Sequence, residues 1–219
     1  MQATEAPAGA ASNALPISLR DPKYVAPQLG RVLDFVLRRR ITLSAALFVG
    51  LGTRDIVVGV APHNLTVFTD AVTIVGLVAV LAGLAIRSWA AGFLIKDDQL
   101  TTTGPYAVAR NPLYLGSFLM VLGFCTLIHD GVNLAVMAIL LPCLYIPKVL
   151  NEERTLAGRY PGAWPRYAAS TSRFFPRRLV WPALSGWRKS QWLQSREYNA
   201  VLAVAGGLAL LKYLHSIHV

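Results

Sequence analysis

The sequence predicts an all-α polytopic membrane protein with about five transmembrane helices and a small helical region at the cytoplasmic membrane surface. Hydrophobic residues make up 54% of the 219 residues and charged residues only 15%, whereas a typical soluble domain has about 25% charged residues. The mean hydropathy is +0.47. The apolar residues are also gathered into long runs separated by short polar segments, which is typical of a protein that spans a membrane several times.

We interpret five apolar segments as membrane spans, since a helix of about 20 residues crosses the ~30 Å hydrocarbon core. The segments are residues 41–61, 71–95, 113–128, 132–150 and 198–214. Only His129, Asp130 and Gly131 separate the third from the fourth, which predicts a tight antiparallel helical hairpin. The first is interrupted by Arg54 and Asp55, which either neutralise each other near one end of the span or face the bundle interior.

Polar segments flank the predicted spans. Residues 1–40 are predicted to form a flexible tail followed by an amphipathic anchor that ends in three arginines. Residues 151–197 are predicted to lie on the membrane as amphipathic helices, because their aromatic side chains alternate with arginines. The predicted division is therefore the tail and anchor 1–40, four spans within 41–150 with a cofactor motif at 99–116, the interfacial segment 151–197, and a last span within 198–219.

The distribution of positive charge predicts the orientation. Of the 21 lysines and arginines, six lie in residues 1–40, three in 87–112 and ten in 148–196. The positive-inside rule then places the N-terminus and both polar motifs in the cytoplasm and the C-terminus on the opposite side. The net charge of +10 lies beside apolar runs, as expected for contact with anionic lipid headgroups, so we predict no nucleic-acid partner.

The segment from Thr103 to Gly116 contains the least helix-like sequence beside a span. It holds two glycines and two prolines, which force a defined backbone path, together with Arg110 and two tyrosines. A second polar group, Asn151–Arg154, follows the fourth span, and Lys148 lies four residues before Glu152 on the same helical face. We predict that these two pieces fold together into a cofactor pocket at the membrane surface, although Glu152 and Glu153 could also be solvated interfacial charge.

Signatures of several other site classes are missing from the sequence. There is no P-loop, no dinucleotide fingerprint after a strand, no HExxH and no paired CxxC. Cys125 and Cys143 fall inside apolar runs and imply no disulfide framework. The histidines fall at predicted outer ends of spans, far from the two motifs, so we expect no metal site.

The two motifs resemble those of the isoprenylcysteine carboxyl methyltransferase family. That family's first pattern reads approximately G-x-Y-x-x-x-R-H-P-x-Y-x-G, which matches Gly104–Gly116 except at Asn111. The second pattern, E-E-x-x-L followed by two tyrosines and a proline, matches Glu152 to Leu156 with Tyr160, Tyr167 and Pro176. Arg87–Ala90 is similar to an element that precedes the first motif in the family. The resemblance covers roughly residues 85–178.

The resemblance implies an integral membrane methyltransferase that uses S-adenosylmethionine and a hydrophobic or lipidic acceptor. The cofactor-binding residues that it implies are Gln99, Leu100, Thr101, Gly104, Tyr106, Arg110, Asn111, Pro112, Leu113, Tyr114, Glu152 and Glu153. Lys148 occupies the position of a substrate-contacting arginine, and a lysine does not bind a carboxylate through two parallel hydrogen bonds as an arginine does. The acceptor can therefore be a carboxylate, an amine or a thiol. No catalytic residue is assigned, and the oligomeric state is not predicted.

Two other functions remain possible at this point. Membrane reductases of the steroid-reductase-like group carry a similar R-H-P-x-Y motif and use NADPH, but their motif tends to continue as N-Y-F-G-E, whereas this chain has Leu113–Ser117. A non-enzymatic scaffold that binds anionic lipid would explain the charge and the tryptophans but not the path set by glycine, proline and tyrosine. Binding of S-adenosylmethionine, of NADPH or of neither distinguishes the three.

Overall fold

The computed structural model describes residues 27–66, 69–95, 99–175 and 186–218, and within these ranges every regular element is a helix. Five helices are long and three are short. In chain order they are α1 (Pro27–Val58), α2 (Ala71–Phe93), α3 (Pro105–Val108), α4 (Pro112–Ile128), α5 (Gly131–Arg159), α6 (Trp164–Ser170), α7 (Lys189–Gln194) and α8 (Tyr198–His218).

The long helices run back and forth between two ends of a bundle. At one end, the His63 amide donates to the carbonyl of Leu127 at 3.0 Å, and the His215 ring hydrogen-bonds with the carbonyl of Pro62 at 2.9 Å. His63 and His129 also stack there, with ring centroids 4.1 Å apart. The two predicted motifs lie at the other end, where α2 ends, α4 begins and α5 ends.

Helices α2 and α4 pack against each other at glycines. A Cβ added to Gly83 would lie 2.6 Å from the Gly116 carbonyl oxygen and 2.8 Å from the Met120 backbone nitrogen. A Cβ on Gly123 would lie 2.8 Å from both the carbonyl oxygen of Gly76 and the backbone nitrogen of Val80. Because small residues let backbones approach this closely, van der Waals packing between α2 and α4 is a main source of stability in a membrane bundle.

We expect Gly83→Ala to lower the free energy of unfolding by about 2 kcal/mol, because the new methyl group meets backbone atoms that cannot move aside. Gly50→Ala is the matched control, since a Cβ at that helical glycine meets nothing within 4 Å. Thermal unfolding in one detergent measures both variants. Equal melting temperatures for the two variants would contradict the packing assigned to α2 and α4.

Helices α1 and α5 are antiparallel and joined by polar contacts at two levels. Near the turn between α4 and α5, Arg54 pairs with Asp55 and Asp130, and the Asn133 amide donates to Asp55. Near the middle, the hydroxyls of Ser44 and Tyr145 lie 3.2 Å apart. The Asp55 residue is only 3% exposed. The structure therefore meets both possibilities for this charged pair: Arg54 and Asp55 pair near one end of α1, and the aspartate faces the bundle interior.

The hairpin between the third and fourth predicted segments is confirmed. His129 ends α4 in the left-handed conformation, with φ 67° and ψ 28°, and the Asp130 side chain caps α5 by accepting from the Val132 amide. The left-handed residue reverses the chain, and the cap satisfies one of the free amides at the start of the next helix.

The number of spans is only partly supported. Among the described residues, three helices are long and apolar enough to cross a membrane, namely Ala71–Phe93, Gly131–Arg159 and Tyr198–Ile217, and Pro112–Ile128 is a shorter apolar helix. The prediction of five spans is not confirmed. The helices nevertheless establish an integral membrane protein by length and composition.

Two predicted boundaries fall inside helices. Helix α1 is continuous from Pro27 to Val58, so no break separates the anchor from the first predicted span at residue 40. Helix α5 continues to Arg159, so Glu152 and Glu153 lie within a helix and not after its end. Good helix formers fill both junctions, and a proline first follows α5 at position 161. The predicted tail 1–26 lies outside the described residues.

Candidate functional site

A cavity of about 290 Å³ lies where the two predicted motifs meet. Its walls come from the end of α2, the loop before α3, the α3–α4 junction, the last turns of α5 and α6. Seven of the predicted cofactor residues line it: Gln99, Leu100, Thr101, Tyr106, Arg110, Asn111 and Glu153. The volume is close to the lower limit of small-molecule pockets, about 300 Å³.

The loop that forms one wall depends on Gly104. This residue has φ 58° and ψ −133°, a region that only glycine adopts without strain. A Cβ there would lie 2.6 Å from the ring of Phe93, so the glycine also lets the loop lie against the end of α2. Pro105 then starts α3, whose helical turn buries the Tyr106 side chain to 7% exposure.

The next residues pair with the segment that follows α6. Ala109 and Ser172 form an isolated parallel β-bridge, and the amides of Arg110 and Asn111 donate to the carbonyls of Ser172 and Arg173 at 2.8 and 3.1 Å. These backbone bonds hold the first motif against a segment sixty residues further along the chain. Pro112 follows directly and starts α4.

Glu153 is the central charge of the cavity wall. Arg173 donates to its carboxylate from Nε and Nη2, at 3.1 and 2.8 Å, and the Asn111 amide donates to it at 3.1 Å. The Arg110 Nε lies 3.3 Å from the same carboxylate. The hydrogen bonds to Glu153 raise the pKa of Arg173 above its ordinary value. One buried carboxylate thus joins α5 to the α3–α4 junction and to the segment after α6, and it leaves the cluster with excess positive charge.

Tyr106 and Tyr167 form the polar floor of the cavity. The Tyr167 hydroxyl donates to the backbone carbonyl of Tyr106 at 2.8 Å. The Tyr106 hydroxyl is buried and has no hydrogen-bond partner among the described residues. Burial raises the pKa of Tyr106, so the hydroxyl keeps its proton at neutral pH. A buried hydroxyl without a partner is uncommon in a folded protein, and it is suited to a ligand atom that accepts a hydrogen bond.

Aromatic and cationic side chains complete the lining. The Trp164 ring lies 5.8 Å from the Tyr167 ring in an edge-on arrangement, and the Arg110 guanidinium lies 5.7 Å from the Trp164 ring centre. Arg159 and Tyr160 come from the end of α5. The site therefore combines two arginines, one carboxylate and flat aromatic faces in a single small cavity.

The other predicted site residues lie outside this lining. Glu152 is bound by the Tyr114 hydroxyl, at 3.0 and 3.1 Å to its two oxygens, and by Lys148 at 3.1 Å. Leu113 packs beside Tyr106, and Gly104 and Pro112 shape the backbone. The cofactor roles of these residues and the substrate role of Lys148 stay predictions.

Several lining residues were not predicted as cofactor-binding: Leu94, Ile95, Leu156, Arg159, Tyr160, Trp164 and Tyr167. The sequence holds a usable signal for three of them. Leu156 and Tyr160 follow Glu153 at the three- and seven-residue spacings of one helical face, and Arg159 lies beside them. Trp164 and Tyr167 were assigned to the membrane interface because aromatic residues next to arginines are typical of that location. Pro176, part of the second motif, lies outside the described residues.

Comparison with known proteins identifies the family of this chain. The sequence model of the phospholipid methyltransferase family matches residues 65–163, which include the first motif and α5. The chain is 30% identical over 164 residues to a nickel-cobalt-cadmium resistance protein, NccN, of Alcaligenes xylosoxydans xylosoxydans, which is 74% of both chains. The chain belongs to the phospholipid methyltransferase family. This membership confirms the resemblance to integral membrane methyltransferases.

A second relative in metal resistance matches the same extent of the chain. The cobalt-zinc-cadmium resistance protein CzcN of Cupriavidus metallidurans is 29% identical over 162 residues, 73% of this chain and 74% of its own length. No solved structure matches this phospholipid methyltransferase family member. Within the described ranges there is no group of three or more histidine, cysteine, aspartate or glutamate side chains that could hold a metal ion.

Proposed function

We propose that this protein is a membrane methyltransferase that transfers a methyl group from S-adenosylmethionine to a hydrophobic or lipidic acceptor. The observation that supports it best is the cavity at the junction of the two motifs. The cavity joins Tyr106, with its unpartnered buried hydroxyl, to Glu153 and to the aromatic and cationic residues of α5 and α6. Membership of a methyltransferase family supports methyl transfer as the chemistry of this cavity.

The residues present fit the groups of S-adenosylmethionine. A purine ring suits the flat faces of Trp164 and Tyr160, and the carboxylate of the amino-acid portion suits Arg159 or Arg110. The Tyr106 hydroxyl is available to a hydroxyl or nitrogen acceptor. The sulfonium cation suits aromatic faces and the side of the cavity nearest to a carboxylate. When bound, the cofactor would supply an electrophilic methyl group that needs no further activation.

The protein must then align the acceptor with that methyl group and exclude water. Tyr106 is buried, and Glu153 accepts hydrogen bonds from Arg173 and Asn111. These contacts make the cavity wall rigid on the side of the bundle. A rigid wall serves the alignment because little conformational entropy is lost on binding. A carboxylate acceptor would need no general base, whereas an amine or thiol acceptor would have to lose a proton.

The membrane side of the fold offers space for a hydrophobic acceptor. An apolar cavity of about 390 Å³ lies between α1, α4 and α8. Met120 and Ala200 line it, each three residues from the polar residues Ser117 and Glu197, so one helical turn separates the apolar cavity from a polar layer. We propose that the cofactor cavity faces the cytoplasm, where the lysines and arginines are concentrated.

The test is equilibrium binding of labelled S-adenosylmethionine to the purified protein in detergent and in lipid, with NADPH as the comparison ligand. We expect saturable binding of S-adenosylmethionine and no shift in melting temperature with NADPH. Incubation with a lipid and small-molecule extract, with product masses measured, then identifies the acceptor. Binding of NADPH alone would favour the reductase function, and binding of neither ligand would contradict both enzymatic functions.

A further inference from the structure

A buried ion pair joins the last helix to the membrane core of the bundle. Arg87 on α2 donates to both carboxylate oxygens of Glu197, from Nε at 2.8 Å and from Nη2 at 2.9 Å. The Glu197 side chain is 2% exposed and the Arg87 side chain 25%. Arg87 also donates from Nη1 to the hydroxyl of Ser117 on α4. One guanidinium on α2 therefore contacts α4 and the residue that directly precedes α8.

Gly116 lets the side chain of Arg87 pass close to the backbone of α4. A Cβ at Gly116 would lie 2.6 Å from the Cγ of Arg87, so only a glycine leaves room for the arginine side chain there. The Ser117 hydroxyl in turn donates to the carbonyl of Leu113 at 2.8 Å. Leu113 packs against the cluster of Ala90, Phe93 and Tyr106, and Tyr106 also lines the cofactor cavity.

Glu197 is the last residue of a segment that lies against α2, residues 186–197, which we call the strap. The Trp187 ring occupies the space above Gly92, where a Cβ would lie 2.0 Å from its Nε1, and that Nε1 donates to the carbonyl of Ser88 at 3.1 Å. The Arg188 amide donates to the carbonyl of Gly92 at 2.9 Å. The strap thus lies along the last turns of α2 and ends at Glu197, just before α8 begins.

Stability alone does not explain a buried ion pair at this place. Removing two charges from water costs about as much as their attraction returns, and apolar side chains of similar size are often equally stable there. The neighbouring site supplies another reason for the pair. Tyr106 packs in one cluster with Ala90, which lies three residues after Arg87 on α2, and with Leu113, whose carbonyl accepts from Ser117. The pair therefore lies close to the polar group that we assign to cofactor binding.

We propose that Arg87 and Glu197 are positioning residues that dock the strap and the start of α8 against α2 and α4 and thereby hold Tyr106 in the wall of the cofactor cavity. The functional part of this proposal rests on the proposed methyl transfer, but the structural part does not. Glu197 lies beyond residues 65–163, the part of the chain that the family model matches.

The test replaces the pair by apolar residues in the double variant Arg87→Met with Glu197→Leu, which leaves no buried charge unpaired. Amide hydrogen exchange is measured for residues 103–111 without cofactor, since the amides of Tyr106, Ala107 and Ala109 are bonded within this segment. We expect a similar melting temperature, faster exchange in 103–111, and S-adenosylmethionine binding weakened about tenfold, which is the size of coupling that a remote contact commonly provides.

Two further variants keep the test decisive. Glu197→Gln retains one hydrogen-bonding oxygen and should show smaller changes of the same sign, which covers the case in which the double variant does not fold. Arg54→Met removes an ion pair at the opposite end of the bundle and should leave exchange in 103–111 unchanged.

Unchanged exchange in the Arg87 and Glu197 variants would overturn the proposal, and faster exchange with wild-type affinity would overturn its functional part. Absence of binding in the wild-type protein would refute the proposed function, while the exchange comparison would still decide the structural part.

Discussion

Replacing Glu153 with alanine should abolish cofactor binding and destabilise the protein. The carboxylate is bonded to Arg173 and Asn111 and lies 3.3 Å from Arg110, and the residue is 8% exposed. Its removal leaves the Arg110 guanidinium, whose side chain is 13% exposed, without a balancing charge. Truncating one partner of a desolvated charge pair costs roughly 2–5 kcal/mol. Because this pair orders the cavity wall, we also expect the affinity for S-adenosylmethionine to fall more than about thirtyfold.

The expected loss of stability is smaller than that for breaking a fully buried ion pair. The Arg173 side chain is 41% exposed, so water screens part of its charge once Glu153 is gone. We expect a decrease of about 2 kcal/mol in the free energy of unfolding. Thermal unfolding and titration with labelled S-adenosylmethionine measure the two effects separately.

The adjacent carboxylate supplies the matched control for this experiment. Glu152→Gln keeps a hydrogen-bonding side chain beside Tyr114 and Lys148, and Glu152 does not line the cavity. From this geometry we expect Glu153→Gln to weaken cofactor binding more than Glu152→Gln does. The opposite order would place the cofactor on the Tyr114 side of α5, in agreement with the role that the family resemblance implies for Glu152.

Tyr106 should show effects of opposite sign on stability and on binding when only its hydroxyl is removed. In Tyr106→Phe, the ring that packs on Phe93 and Ala90 remains, and a buried hydroxyl without a partner is lost. We therefore expect the cofactor-free protein to be as stable as the wild type or more stable, because an unsatisfied buried polar group costs about 1–3 kcal/mol. Binding of S-adenosylmethionine should weaken by about 1 kcal/mol, roughly fivefold.

Tyr106→Ala separates the contribution of the ring from that of the hydroxyl. Removing the whole buried side chain should lower the free energy of unfolding by about 3 kcal/mol and remove a wall of the cavity. Binding should then fall below detection. A Tyr106→Phe variant that is clearly less stable than the wild type and binds the cofactor normally would show that the hydroxyl has a protein partner and not a ligand partner.

The sequence was sufficient to predict the helical class and the meeting of the two motifs at one cavity. Long apolar runs predict helices in a membrane because no other element satisfies the backbone there. The chain between His129 and Gly131 is too short for anything but a hairpin, and the glycine and prolines of the first motif fix its loop. The resemblance to the isoprenylcysteine carboxyl methyltransferase family implied Gln99, Tyr106 and Asn111 as cofactor residues, and they line one cavity.

Other features depend on packing that a single sequence does not reveal. Adjacent helical residues point about 100° apart, so the rotation of α5 decides whether Glu152 or Glu153 faces the cavity. That rotation is set by contacts of buried residues such as Leu141 and Val149 with neighbouring helices. The partnership of Arg87 with Glu197 is also invisible in the sequence, since 110 positions separate the two residues. Long-range ion pairs of this kind follow from the docking of helices and not from local pattern.

The measurement that tests the central assignment most directly is photo-crosslinking of labelled S-adenosylmethionine to the wild-type protein, followed by mapping of the labelled peptides. The account predicts that the label lies in residues 99–111 and 153–167 and that excess unlabelled S-adenosylmethionine prevents it. Label in the apolar cavity between α1, α4 and α8, or labelling that unlabelled S-adenosylmethionine does not reduce, would contradict the assignment.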